Sequence, residues 1–314
     1  VALPLALAFG IASGIGPVAG LYGAMIVGMS AAMFGGTPTQ ISGPTGPMTI
    51  VMTAMTAHYL ALYPNEGLAL AFTTVVLGGA FQIAFGLMRI GKYIIMVPYP
   101  VISGFMTGIG LLIIALQLGP FLGFAAVGTV AQAMADLPQQ WQNANSAAFI
   151  TGGITLAVLI VWRGRVNRVL PAPLLALVVA TLIASVFFGD GQVPVIGEFP
   201  SSLPTFQMPL IEFAVIKDML VNAVMLAVLG SIDSLLTSLV ADNMMGDQHD
   251  SDRELIGQGI GNVFAGLFGG LPGAGATMRT VVNIRAGGTG PLSGIIHSMV
   301  LFAAVAGLGF ALES

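Results

Sequence analysis

Apolar stretches of membrane-crossing length follow one another along almost the whole chain, so its organisation is read from the places where the apolar pattern fails. Residues 1–16 are apolar but fall short of the roughly 20 residues that a helical span needs. Residues 20–34 make the next span, rich in Gly, Ala and Ser for close helix packing. A broken element covers 45–60 and a span covers 68–87, with Tyr59, Tyr63 and Glu66 marking a membrane interface between them. A fifth element, 101–122, is entered through Pro98-Tyr99-Pro100. From 127 to 145 polar Gln132, Asp136, Gln139, Gln140 and Gln142 share the run with Val130, Met134 and Leu137. That pattern predicts an amphipathic helix lying in the interface, anchored by Trp141. Spans six and seven are 148–162 and 172–188, separated by Arg163, Arg165 and Arg168. A polar, proline-containing connector occupies 190–208, and a short amphipathic stretch, 209–218, leads on. Spans eight and nine are 220–240 and 255–268, a second broken element runs 277–284, and span eleven is 292–310.

The two broken elements are related. Ala31-Ala32-Met33-Phe34-Gly35-Gly36-Thr37-Pro38 matches Ala265-Gly266-Leu267-Phe268-Gly269-Gly270-Leu271-Pro272 at a constant offset of 234, and the register reaches back through Leu21/Leu255, Gly23/Gly257 and Ile26/Ile260. A Gly/Pro-rich break follows each run: Ser42-Gly43-Pro44-Thr45-Gly46-Pro47 after the first, Pro272-Gly273-Ala274-Gly275-Ala276 after the second. Each break opens onto residues that can be helical, which predicts two half-helices that start at membrane depth. Their first N–H groups and dipoles make such starts anion seats, tolerated in a bilayer only where protein or a wet cavity surrounds them. Paired interruptions of this kind are the sequence signature of a secondary transporter's binding site. Two repeats of this length need more than the 314 residues here, so the chain reads as one full repeat plus the front of a second.

Composition narrows the class further. Charged residues are 7% and hydrophobic residues 56%, with a mean hydropathy of +0.96, which excludes an ordinary soluble domain. Cysteine is absent, so disulfide and thiol chemistry are excluded, and His58, His249 and His297 are too scattered to suggest a metal cluster. The net charge of −4 offers no basic face for nucleic acid. Arg89, Lys92, Arg163, Arg165, Arg168, Arg253 and Arg285 fall in loops of one parity and only Lys217 in the other, which predicts a cytoplasmic N-terminus.

Asp233 is the sharpest candidate for chemistry. It lies deep in the apolar run Val228–Leu239, where a carboxylate is costly unless it meets a cation or a proton. Thr237, one turn on, shares its face and offers an oxygen to the same ion, with carbonyls of the unwound 273–277 segment to complete a cation site. A protonated, purely structural Asp233 is the competing reading. Arg279, just inside the second half-helix, either screens a substrate's negative charge or extends to an interface. Asp242, Asp247, Asp250, Asp252 and Glu254 around His249 read as a solvated acidic loop. Ser293 and His297 admit an intramembrane serine protease on paper, but four residues apart on one helix they lack that enzyme's geometry.

At these residues the chain resembles the SulP family of inorganic-anion transporters, and within it the sodium-dependent bicarbonate members. The resemblance is carried by Pro44-Thr45-Gly46-Pro47-Met48-Thr49, Gly230-Ser231-Ile232-Asp233 through Thr237, Glu254-Leu255-Ile256-Gly257-Gln258-Gly259, and Gly273-Ala274-Gly275-Ala276-Thr277-Met278 through Asn283-Ile284. It implies an all-α polytopic membrane protein with seven-plus-seven inverted repeats, here cut to about eleven elements. Residues 1–88 and 220–314 would be core domain and 89–219 part of the gate domain, with the last gate elements and a STAS domain absent. It implies sodium ligands at Asp233, Thr237, Gly275, Ala276 and Thr277, and an anion held at Thr45, Gly46, Ala276 and Thr277. The expected activity is sodium-coupled symport of bicarbonate, with sulfate or dicarboxylate transport, proton-coupled or by exchange, as the alternative. The expected setting is a bacterial inner membrane, as a homodimer in full-length form, with no cofactor besides the coupling ion.

Overall fold

A backbone in hydrocarbon must satisfy its own hydrogen bonds, and here the apolar stretches do so as helices. The structure, a computed structural model, describes residues 2–96, 99–125, 130–162, 172–188, 192–193 and 204–313. In chain order it contains α1 (Ala2–Ala12), α2 (Pro17–Phe34), β1 (Ser42–Pro44), α3 (Gly46–Leu62), α4 (Gly67–Leu87), α5 (Tyr99–Phe121), α6 (Val130–Gln142), α7 (Ser146–Val161) and α8 (Ala172–Phe187). Then come α9 (Ile216–Met245), α10 (Ser251–Leu267), β2 (Gly273–Gly275), α11 (Thr277–Arg285) and α12 (Pro291–Glu313). Among the described residues α2, α4 and α9 are each long and apolar enough to cross a membrane alone. α6 meets α7 at a 113° bend, and Trp141 is exposed. Arg163, Arg165 and Arg168, and most of the expected 190–208 connector, lie outside the described residues.

Two boundaries differ from the sequence reading for physical reasons. The stretch expected to be a separate amphipathic lead-in at 209–218 ends in the first turn of α9, which runs unbroken for 30 residues because nothing from Ile216 to Met245 interrupts it. The offset of 234 holds through α2 and α10 but drops by three residues at the breaks, where Ser42 opens β1 and Gly273 opens β2. Pro38 is therefore not the structural counterpart of Pro272: it lies in a longer loop before β1, whereas Pro272 leads directly into β2.

The sequence reading expected two unwound tips and no strands. The tips instead pair as an antiparallel two-stranded ladder, with Ser42 opposite Gly275, Gly43 opposite Ala274 and Pro44 opposite Gly273. Two extended segments at membrane depth can satisfy each other's backbone this way, and Ala276 N–H continues the ladder to Ile41 O at 2.9 Å.

α10 is the mast on which both tips are hung. It packs most extensively on α4 and α2, where Gly79 and Gly259 touch; a Cβ at either would fall 2.6 Å from the other's carbonyl oxygen. One polar stripe, Glu254, Gln258 and Asn262, runs down its buried face. Asn262 pairs with Gly273 as a strand would, accepting from its N–H at 2.8 Å and donating to its carbonyl at 3.0 Å. Glu254 accepts from the Gly36 and Thr37 N–H groups, both at 2.9 Å, and from Gln40 and Gln258 at 2.6 and 2.8 Å.

Candidate functional site

The ladder aims two helix starts at one place. Thr45 and Ala276 hold the positions just before α3 and α11, both with extended backbone, and neither donates or accepts a side-chain capping bond. The N–H groups of the first turns, Gly46 and Met48 on α3 and Thr277, Met278 and Arg279 on α11, are thus left to whatever lies between the tips. Pro47 contributes none.

α9 crosses behind both tips, and its buried face carries Gly230, Ser231, Asp233, Ser234, Thr237 and Ser238. Thr237 Oγ1 donates to Gly275 O at 3.0 Å and lies 2.7 Å from Thr277 Oγ1. Ser234 Oγ accepts from Gly275 N–H at 3.0 Å, fixing the strand from which these oxygens project. Asp233 is 5% exposed, and its Oδ2 has no hydrogen-bond partner. Its carboxylate lies against the Thr45 side chain, but Thr45 Oγ1 is itself buried without a completed bond. Thr237, Gly275 and Thr277 are therefore brought together, with Ala276 between the last two, and Asp233, one turn before Thr237 on the same buried face of α9, adds a carboxylate with an unpartnered oxygen to this all-oxygen set. Such a set suits a hard cation, not a soft transition metal.

Arg279 resolves one open choice. It does not reach for an interface: it is 5% exposed, and its Nη2 donates to Pro44 O at 3.3 Å across the ladder. Gly43 makes room for it, since at φ 154° a Cβ there would fall 2.6 Å from Arg279 Nη1. Its Nε and Nη1 have no partners. A cation in the first turn opposes the helix dipole, and a buried guanidinium with idle donors is costly. Both costs fall if an anion sits at the tip.

The solvated acidic loop holds for Asp247 and Asp250, which are exposed, and not for the rest. Glu254 is buried in α10, Asp250 accepts from Arg253 N–H at 3.0 Å as that helix's cap, and Asp252 accepts from Gly91 N–H at 3.0 Å. His249 is not solvated either: Nδ1 lies 2.6 Å from Asp242 Oδ2 and Nε2 lies 2.8 Å from Ser251 Oγ. The trio fastens the end of α9 to the start of α10. Ser293, the nucleophile of the protease reading, instead accepts from Asn283 Nδ2 at 2.9 Å and donates to Gly290 O at 3.0 Å. Sequence reasoning missed Glu254 and Asn262 as organisers of the tips, although with Gln258 they recur every four residues on one face of α10, which was the available signal.

The model of the sulfate permease family matches residues 1–314. The chain is 51% identical over 308 residues to the bicarbonate transporter BicA of Synechocystis sp., covering 98% of this chain and 55% of that protein. It is 39% identical to the putative sulfate transporter YvdB of Bacillus subtilis, covering 96% of this chain and 56% of that one. It thus spans little more than half the length of these curated relatives. The solved transmembrane domain of a cyanobacterial BicA superposes with a TM-score of 0.93 at 50% identity, covering 99% of this chain and 80% of that one. Murine solute carrier 26 family member A9 shares the fold, at 22% identity and a TM-score of 0.83 over 98% of this chain and 54% of that one.

Proposed function

The chain belongs to the sulfate permease family, and from that premise we propose that it forms the anion-binding part of a sodium-coupled bicarbonate symporter. It is an integral membrane protein of a transporter family, not an enzyme. The observation that carries the coupled reading is the meeting of two uncapped half-helix starts beside one buried carboxylate with an idle oxygen. The starts and Arg279 supply positive potential for a small anion; Asp233, Thr237, Thr277 and the carbonyls of Gly275 and Ala276 supply oxygens for a cation. Neither ion is well served alone. An anion would face the Asp233 charge, and a cation would face two dipole ends and Arg279. Bound together they neutralise each other's penalties, which is the energetic basis of symport.

Thr45, Gly46, Ala276 and Thr277 would hold the anion, bicarbonate first and sulfate second. Backbone dipoles select charge and size without a diagnostic side chain, so the choice rests on the 51% identity to BicA against 39% to the putative sulfate transporter. Alternating access would move α1–α4 and α9–α12, which pack on one another, against the α5–α8 part in an elevator-like stroke. Arg89, Lys92 and Arg253 gather at the end where Gly91 meets Asp252, supporting an inward orientation of that end and a cytoplasmic N-terminus in a bacterial inner membrane.

The test is uptake of radiolabelled bicarbonate by the full-length protein in proteoliposomes, with and without an inward sodium gradient. Uptake that rises with the gradient and is competed by bicarbonate above sulfate is expected. Uptake indifferent to sodium would leave Asp233 a proton site or a structural group.

A further inference from the structure

The two ion seats touch at one side chain. Thr45 stands at the start of α3, where a threonine ordinarily turns its oxygen to an N–H of the first turn. Here it makes no such bond, and Pro47 removes one of the N–H groups it would have served. Its hydroxyl is buried with no completed bond at the start of α3, which packs on α9 where Met48 meets Gly230, and it neighbours the Asp233 carboxylate, whose Oδ2 is also without a partner. The other hydroxyls around the seat are spoken for. Thr237 and Thr277 bond each other, Thr237 also bonds Gly275, Ser234 bonds Gly230 O and Gly275 N–H, and Ser231 bonds Ala227 O.

We propose that the Thr45 hydroxyl is the switch through which cation occupancy sets anion affinity; this deepens, and rests on, the sodium-coupled reading above. A hydroxyl has one proton and two lone pairs. With Asp233 uncompensated, the strongest use of that proton is a charge-assisted bond to the carboxylate, roughly twice as strong as a neutral one. The lone pairs then face the mouth of α3 and repel an anion. A cation among Asp233, Thr237 and the Gly275 carbonyl takes over the carboxylate, and the hydroxyl turns by rotation about one bond to donate to the anion. Thr45 is thus an acceptor toward the anion seat when the cation seat is empty and a donor when it is full.

The experiment measures binding, not transport, on the full-length protein in nanodiscs. The dissociation constant of ¹⁴C-bicarbonate is determined at zero and saturating sodium, and that of ²²Na without bicarbonate. For the wild type the two bicarbonate constants should differ by about tenfold or more, within the usual range of coupling. Thr45→Val, which keeps the shape and loses the hydroxyl, should shrink that ratio about fivefold, losing affinity chiefly at saturating sodium, while ²²Na binding stays within about threefold. Thr45→Ser should keep the ratio. If Thr45→Val weakens bicarbonate equally at both sodium levels, Thr45 is only a ligand and the switch is wrong. A wild-type ratio of one would instead remove the coupled reading itself, before any variant is compared.

Discussion

The two half-helices begin in mirrored surroundings and carry different chemistry. α3 has 17 residues and α11 has 9, yet each starts directly after a strand of the same ladder with an uncapped first turn. At the third helical position α3 has Met48, fully buried in the core, while α11 has Arg279, turned across the ladder to Pro44. α3 brings a neutral hydroxyl and a proline that subtracts a donor; α11 brings a full positive charge and the oxygens of a cation seat. The repeat has thus kept its backbone and divided its labour. Symmetric backbone makes the pocket, and asymmetric side chains decide that it takes two ions of opposite sign.

The heaviest blow to that division should come from α9. Asp233→Asn removes the buried carboxylate one turn before Thr237 and leaves an amide that cannot neutralise a cation. Sodium-dependent bicarbonate uptake should fall about 100-fold or more, equivalent to about 3 kcal/mol. ²²Na binding measured on the purified variant should fall with it; retention of sodium binding would move the cation seat elsewhere. Next is Arg279→Met, which makes α11 resemble α3 at that position. Bicarbonate affinity should weaken by about 10- to 100-fold, the scale of one charge-assisted contact, and sodium affinity measured alone should hold or rise because a nearby like charge is gone. Equal losses of both ions would mean that Arg279 merely props the ladder.

A third perturbation separates the scaffold from the seat. Glu254→Gln replaces an acceptor of four hydrogen bonds with an amide that turns donors toward donors. Leaving buried partners unsatisfied costs about 1–3 kcal/mol. The thermal midpoint of the purified protein should drop by about 5 °C. Because three of these bonds hold the loop before β1 and none touches β2, anion binding at the α3 tip should suffer more than sodium binding at α11.

Much of this was legible in the chain and some was not, for identifiable reasons. The breaks at 42–47 and 272–276 were visible because Gly and Pro interrupt the chain twice, each time after an apolar run that matches the other at a constant offset. Asp233 was visible because a carboxylate in a span is expensive. The ladder between β1 and β2 was not: its residues are Ser, Gly, Pro and Ala, which have no strand propensity, and only their mutual backbone need makes them pair. The Glu254 hub was hidden by position, since an acidic residue three places into a helix at a membrane edge looks like a solvated first turn until the loop that folds over it is seen. Arg279 was ambiguous for the same reason, and burial settled it.

The finest cut falls between the two threonines at the tips. Thr277 opens α11 and shares its hydroxyl with Thr237 at 2.7 Å, on the side of the Gly275 carbonyl; Thr45 precedes α3 and faces Asp233 with no completed bond. If labour is divided as argued, they are not interchangeable. Thr277→Val keeps the Thr277 N–H through which this residue would serve the anion, leaves Asp233, Thr237 and the carbonyls in place, and removes one neutral oxygen from the cation set. That is worth about 0.5–1.5 kcal/mol, or about a 2- to 10-fold rise in the sodium dissociation constant, with bicarbonate affinity at saturating sodium nearly unchanged. Thr45→Val should show the opposite pattern, with sodium binding kept and bicarbonate binding at saturating sodium weakened. Measured side by side with ²²Na and ¹⁴C-bicarbonate, crossed losses would establish that one backbone motif serves two ions. Parallel losses would mean a single shared site in which the two tips contribute alike.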